Sequence, residues 1–478
     1  MSTSEKTVHK GIGFCATGLV SNICDVDVPA DKSKVTRIRP YRFDSTGPMD
    51  CLHPWQIKVG DKVLEPGTKT TLTPIQLAYK KRIYSKNRIL YPMKRVDWDP
   101  KGDRHPETRG VSGYERISWD EALEIITDEI HRIVTEYGVS SIYAQADGHG
   151  EAKILHGTHG CQTRLLSQIG KGDYAFQCRQ ADSWEGWYWG AKHIWGMDPF
   201  GNTCKQTNLA KDVAEHSDAL LMWGGDPETT PNGWGSQMPV RLEYFFTECG
   251  VKQIHIAPDC NYSNAAHADK WIPVLPNTDA AMQLAIAYVW LTEGTYDEEY
   301  LRTHAIGFEN WAFYVMGGED GIPKTPKWAE ARCGVPSYTI KALARYWAKH
   351  RVSIGHCNGG SYIRAAFSHE PARLEVALLG MQGLGQPGCN QILFTDFALF
   401  SSKEVNIFPG GEEIPNVGGA YRGREDIWRE NQIPKTMVPQ GLKGEPIEWY
   451  SHLACGLPRD DQFTGPSSSR SRVTPASR

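Results

Sequence analysis

The sequence predicts an α/β protein of several domains, and three observations carry that reading. A capped amphipathic helix beginning at Ser118 feeds an apolar segment, VSSIYAQA. A second apolar segment, ALLMW at residues 219–223, runs directly into a glycine-containing loop, a helical stretch and another strand, VKQIHIAP. Ahead of both, residues 1–95 are rich in Gly, Pro, Val and Thr and show no helical period over a long window. Helices alternating with buried strands are the pattern of a sheet covered by helices, here preceded by a small β-rich segment.

A chain of 478 residues exceeds one ordinary domain and suggests two to four. A hydrophobic fraction of 40% and a charged fraction of 23% are those of a globular protein. The net charge of −4 lacks the basic surplus of a general nucleic-acid binder, so no nucleic-acid partner is expected. No apolar run approaches the roughly 20 residues that span a bilayer, so no membrane partner is expected either. The N-terminus, MSTSEKTVHKGIGFCATGL, has neither a long apolar core nor a twin arginine, which favours the cytoplasm. There the twelve cysteines should be mostly reduced. Only Cys15, Cys24 and Cys51 fall early and no C-x-x-C occurs, so no iron–sulfur cluster is expected in this chain.

Taken in order, QIKVGDKVL reads as short strands. Ser118-Trp119-Asp120-Glu121 is a capping box, with Ala122, Ile125, Ile126, Ile130, Ile133 and Val134 on one apolar face and Gly138 as a left-handed stop. His149 lies in the Gly-rich strand end ADGHGE, where a side chain gains access to ligands. The run WEGWYWGAKHIW at 184–195 fits either plain core or the wall of a pocket for a flat aromatic. After ALLMW comes Gly224-Gly225-Asp226-Pro227-Glu228-Thr229, then a helix around VRLEYFFTECG and a strand ending at Asp259. Amides in such a loop can face a pyrophosphate, and a carboxylate ending the second strand can hold a ribose hydroxyl. The loop is not a full G-x-G-x-x-G, and an ordinary turn has the same pattern. Thr278 reads as the N-cap of a helix containing AAMQLAIAYVWL, with Asp279 suited to its positive end. Further helices are predicted near 297–316 and 337–349, and a glycine-rich stretch begins at Gly355. The tail from Gly465 has no hydrophobic period and reads as disordered.

The stretch RISWDEALEIITDEIHRI at 116–133 resembles a segment common in the dimethyl-sulfoxide-reductase family of molybdopterin enzymes. The resemblance continues, in matching order, through ALLMWGGDPETT, IHIAPDCNYSNAAHADKWIPVLPNTDAAM and LLGMQGLGQPGCN. It implies a β-rich segment at 1–95, a discontinuous α/β molybdopterin domain at 96–205 and 353–463, and a Rossmann-like guanine-dinucleotide domain at 206–352. Residues 464–478 form the aberrant tail, and the C-terminal domain that closes around the second pterin is expected to be absent, making the chain a fragment.

Within that family, YPMKRVDWDPKGDRHPETRG and ADSWEGWYWGAKHIWGM resemble a branch of large subunits that move hydroxyl groups between polyphenols. The resemblance implies molybdenum or tungsten held by two molybdopterin guanine dinucleotides, a phenolic substrate, and a small ferredoxin-like iron–sulfur subunit as partner. By the same resemblance Ser183 supplies an alkoxide to the metal, a hard ligand suited to a high-valent ion. Asp182 and His149 would move protons at phenolic oxygens. Gly224, Asp226 and Glu228 would lie along one dinucleotide, with Asp259 on its ribose and Asp279 taking the guanine N1 and N2 donors bidentately. The chain departs from the branch at Thr158, Gly359 and Gly411, where it places arginine, tryptophan and tyrosine. A net reductive catechol dehydroxylase, or an inactive truncated relic, therefore stands beside the hydroxyl-transfer reading.

Overall fold

Strand β1 (Ala219–Trp223) is buried along its whole length, and its side chains divide between two cores. Ala219, Leu221 and Trp223 enter one, while Leu220 and Met222 enter the other. A period of two imposes this division on a strand covered on both faces. In the computed structural model β1 is the middle strand of a five-stranded sheet. Its companions are β2 (Lys252–Ile256), β3 (Lys270–Ile272), β4 (Val352–His356) and β5 (Gln391–Leu393). All pairings are parallel and the spatial order is β3-β2-β1-β4-β5. The connections that leave β1 and β4 therefore run toward opposite sides, making a topological switch point between these two strands. The structure describes residues 6–11, 23–31, 34–42, 44, 56–65, 68–72, 74–146, 165, 168–169, 176–179, 190, 194, 206–229, 238–356, 366–394, 443, 447–450 and 470–473.

Helices α1 (Gln206–His216) and α2 (Met238–Glu248) cover the Leu220–Met222 face through Leu209, Val213, Leu242, Phe245 and Phe246. A hairpin, Ile57–Val59 with Lys62–Leu64, turns at Gly60 (φ 58°) and adds Ile57 and Leu64 to that core. After α3 (Tyr262–His267) the chain covers the other face with α4 (Asp279–Glu293), α5 (Glu298–His304), α6 (Phe308–Val315), α7 (Pro326–Cys333), α8 (Ser337–Trp347) and α9 (His369–Gly380). Helix α4 is enclosed by these neighbours, which explains why it is apolar nearly all round. Its Trp290 meets Trp347 edge to face at 5.1 Å and donates from Nε1 to Ala344 O at 2.7 Å. At the N-terminal edge of the sheet, the Ser217 and Ser353 hydroxyls both donate to Gly388 O, at 2.9 and 3.0 Å.

Several sequence-based expectations are corrected in detail. The sheet does not stop at residue 352: β4 and β5 complete it, because the strands beyond the switch point follow the long helical excursion of α4–α8. Thr278 precedes α4, but its hydroxyl donates back to Leu275 O at 2.7 Å instead of capping the helix. The helix expected over 297–316 is two helices, broken before Gly307 (φ 79°). Helix α7 was not expected; it is bounded by Thr325 as a side-chain cap, Pro326 in the first turn and Gly334 as a left-handed stop. Ser118 caps the helix Trp119–Tyr137, accepting from Glu121 N at 3.0 Å, whereas the Glu121 carboxylate lies 4.0 Å from Lys94 Nζ. Of that helix's expected apolar face only Ala122 is buried. Gly138 has φ 85° and ψ 161°, not the left-handed helical conformation, and a 3₁₀ turn over Val139–Ser141 delays the strand to Tyr143–Ala146. The Ser141 hydroxyl holds that turn by donating to Tyr137 O at 2.9 Å.

The N-terminal segment is β-rich, with an antiparallel sheet of Lys6–Gly11, Ile23–Val28 and Arg37–Pro40, and it also contains a short helix, Pro74–Arg82. In the tail expected to be irregular, Arg470–Val473 pairs antiparallel with Ile447–Tyr450. A four-residue ladder is too short to show a hydrophobic period.

Trp290→Ala removes both the ring contact and the bond to Ala344. We expect it to lower unfolding free energy by about 3–5 kcal/mol, read from the urea midpoint, with the secondary-structure signal before unfolding retained.

Candidate functional site

Strand β1 gives way to Gly224, whose φ of 80° lies in the left-handed region that glycine enters without a Cβ penalty. Its N–H donates to Ile256 O at 2.9 Å, so the chain stays tied to β2 one residue beyond the strand. The following loop crosses the C-terminal edge of the sheet and is stitched to the first turn of α3. Asp226 Oδ1 accepts from Thr229 N at 3.2 Å and from Ser263 N at 3.1 Å. Glu228 N donates to Ser263 Oγ at 3.0 Å, and Asn261 Nδ2 donates to Gly225 O at 3.4 Å. Asn261 also caps α3, accepting from Asn264 N at 2.8 Å.

Beneath the loop lies a buried polar cluster. Glu228 Oε1 is 2.9 Å from His267 Nε2, and Glu243 Oε2 is 3.7 Å from the same nitrogen. Ser263 Oγ donates to Glu243 Oε2 at 3.2 Å. Burial, reinforced by the nearby Glu228 charge, pushes the Glu243 carboxyl well above the usual carboxylate range. On β2 the His255 ring is fully enclosed, with Nδ1 2.9 Å from Asn264 Oδ1. Burial pulls this imidazole down to about 4. Asn264 Nδ2 in turn donates to Asp259 O at 2.8 Å.

Four of the predicted dinucleotide residues, Gly224, Asp226, Glu228 and Asp259, therefore meet at one edge, that of β1 and β2. Asp259 is exposed there, just past the end of β2. Asp226 and Glu228 are engaged in bracing the loop. Asp279 is buried at the start of α4, where its Oδ1 accepts from Trp223 Nε1 at 2.8 Å. One of the two oxygens that a bidentate contact needs is thus held by the indole. His149, Asp182 and Ser183 lie outside the described residues, as do Thr158, Gly359, Gly411 and the tryptophan-rich run apart from residues 190 and 194. Sequence reasoning passed over Glu243, Ser263 and His267; a carboxylate inside the apolar run of α2 was the available signal. The Thr229 side-chain oxygen is buried in the loop with no hydrogen-bond partner among the described residues. No helix among the described residues is long and apolar enough to cross a membrane.

A sheet edge of this kind is shared by many dinucleotide-binding proteins, so the geometry alone leaves the family open. The family model for molybdopterin oxidoreductase matches residues 88–428. The chain belongs to the molybdopterin oxidoreductase family. A second model, described as pyrogallol hydroxytransferase large subunit-like, domain 1, matches residues 22–82 of this family member. The chain is 39% identical over 452 residues to the pyrogallol hydroxytransferase large subunit of Pelobacter acidigallici, covering 87% of this chain and 50% of that protein. It is 30% identical over 339 residues to a trimethylamine-N-oxide reductase of Haemophilus influenzae, covering 68% and 39%. The chain thus spans half or less of the length of these curated relatives. Acetylene hydratase from Pelobacter acetylenicus is 20% identical, with a TM-score of 0.39 over 69% of this chain and 41% of that one.

The depressed His255 makes a pH prediction. The unfolded state takes up a proton below pH 6.5 and the folded state only near 4, so stability falls as pH drops through that window. The bound on this contribution is about 3 kcal/mol. Glu243 contributes the opposite slope, so wild-type and His255→Asn stability curves are compared across pH 6.5 to 4. The variant curve should fall less steeply; parallel curves would refute the assignment.

Proposed function

We propose that the chain carries the cofactor-binding core of a molybdenum or tungsten enzyme that transfers or removes a hydroxyl group on a polyhydroxylated aromatic. The observation that carries this reading is the 39% identity to a pyrogallol hydroxytransferase large subunit over 87% of the chain. The match of residues 22–82 to the first domain of that group supports it independently of the cofactor-binding region. In this reading the cofactor is the metal with two molybdopterin guanine dinucleotides, and the five-stranded sheet belongs to a Rossmann-like domain that seats one of them.

The residues at the sheet edge fit such a group. The β3-β2-β1-β4-β5 order puts a switch point beside β1, Gly224 allows close backbone approach, and the Thr229 hydroxyl in the same loop has no hydrogen-bond partner among the described residues. Gly224 lines the dinucleotide, Asp259 holds its ribose, and Asp279 receives the guanine edge. Asp226 and Glu228 keep the loop in shape. Ser183 supplies an alkoxide to the metal, while Asp182 and His149 hold and move protons at the phenolic oxygens. When bound, the metal centre supplies the hydroxyl-transfer chemistry itself. A relative described as a large subunit supports a smaller partner, which we take to be a ferredoxin-like iron–sulfur subunit.

The test is elemental analysis and released guanine nucleotide on the full chain, co-expressed with any adjacent small-subunit gene, followed by chromatography of pyrogallol incubations. We expect near-stoichiometric molybdenum or tungsten and guanine nucleotide, with metal content falling about tenfold or more in Ser183→Ala. A folded chain that holds neither metal nor guanine nucleotide would refute the proposal.

A further inference from the structure

The glycine loop is not held by its own turn alone. Its two carboxylates, Asp226 and Glu228, point back into the protein, and each meets α3: Asp226 at the Ser263 amide and Glu228 at the His267 ring. The Ser263 hydroxyl accepts from the Glu228 amide and donates to Glu243, so one side chain joins loop, α3 and α2. His267 closes the circuit, its Nε2 facing Glu228 on the loop and Glu243 on α2. Its ring is wedged edge-on against Tyr244, at 4.5 Å and 86°. The His267 side chain is 2% exposed and that of Glu243 is 0% exposed, so neither can turn outward without dismantling the packing.

Such an arrangement is costly unless it fixes something. Two carboxylates about one buried imidazole carry desolvation and mutual repulsion, and an apolar cluster of equal volume would pack more favourably. What it fixes is the path of residues 224–229, since Glu228 ties that loop to a ring deeper in the protein. We infer that His267, acting through Glu228, is a positioning residue that sets the glycine loop in the conformation that receives the guanine dinucleotide. This rests on the dinucleotide reading above and adds to it a residue that does not touch the ligand.

The experiment measures guanosine diphosphate affinity of the full chain by titration calorimetry, alongside thermal stability. The proteins are wild type, His267→Asn, Glu228→Gln, the double variant, and Ser353→Ala as a control on the opposite edge of the sheet. We expect each single variant to weaken affinity about tenfold and the double variant to lose no more than either, because both act through one contact. Ser353→Ala should lower the melting temperature and leave affinity unchanged. Wild-type binding that is unmoved in both single variants, or losses that simply add in the double variant, would overturn the positioning role while leaving the dinucleotide reading intact. A folded wild type that does not bind guanosine diphosphate would overturn that reading and this inference with it. Should His267→Asn fail to fold, Glu228→Gln alone decides, since it keeps the shape and removes only the charge.

Discussion

A parallel strand must be covered on both faces, because its crossover connections carry the chain over the sheet. Strand β1 meets that demand with five consecutive buried residues, alternately serving the cores on its two sides. The rest of the architecture follows. The helices on one side reach Leu220 and Met222, those on the other reach Ala219, Leu221 and Trp223, and the edge where β1 ends is the place where the two sets of connections part. A loop set there is braced by α3 and, through Ser263, by α2.

Support of this kind differs from the glycine-rich cradle that the sequence suggested. The pattern Gly224-Gly225-Asp226-Pro227-Glu228-Thr229 was visible as a loop after a strand, and the strand boundaries at 219–223 were readable from apolarity alone. The facing partners were not readable. Ser263 and His267 lie 35 or more residues downstream of the loop, and Glu243 sits within an apolar helical stretch that betrays no partner. Local pattern locates elements; it is silent on which side chains from separate elements converge. The same limit explains Thr278, whose capping role was plausible by residue type but lost to a nearer carbonyl. It also explains the sheet's extent, since nothing local says that the strands after α8 return to the far side of β1. The residues proposed for the reacting centre, His149, Asp182 and Ser183, were legible only by resemblance, since a serine before a tryptophan-rich run has no distinguishing spacing.

Family membership and geometry also bear on different parts of the molecule. The relatives and the family model establish the family through similarity across most of the chain. The geometry bears on the C-terminal edge of the sheet, where the strands stop and the carboxylates gather. The departures at Thr158, Gly359 and Gly411 are read from the sequence alone and lie outside the described residues.

Trp223 gives the start of α4 a character of its own. Its indole N–H already occupies Asp279, and both groups are buried. A base that donates to that carboxylate enters a site with a resident competitor, so recognition there is an exchange of donors and not a simple gain of one. Displacing the indole would leave its N–H stranded in the core at a cost of about 1–3 kcal/mol. Only a ligand that offers two well-placed donors comes out ahead. The tryptophan thus acts as an internal threshold, raising the standard that an incoming base must meet.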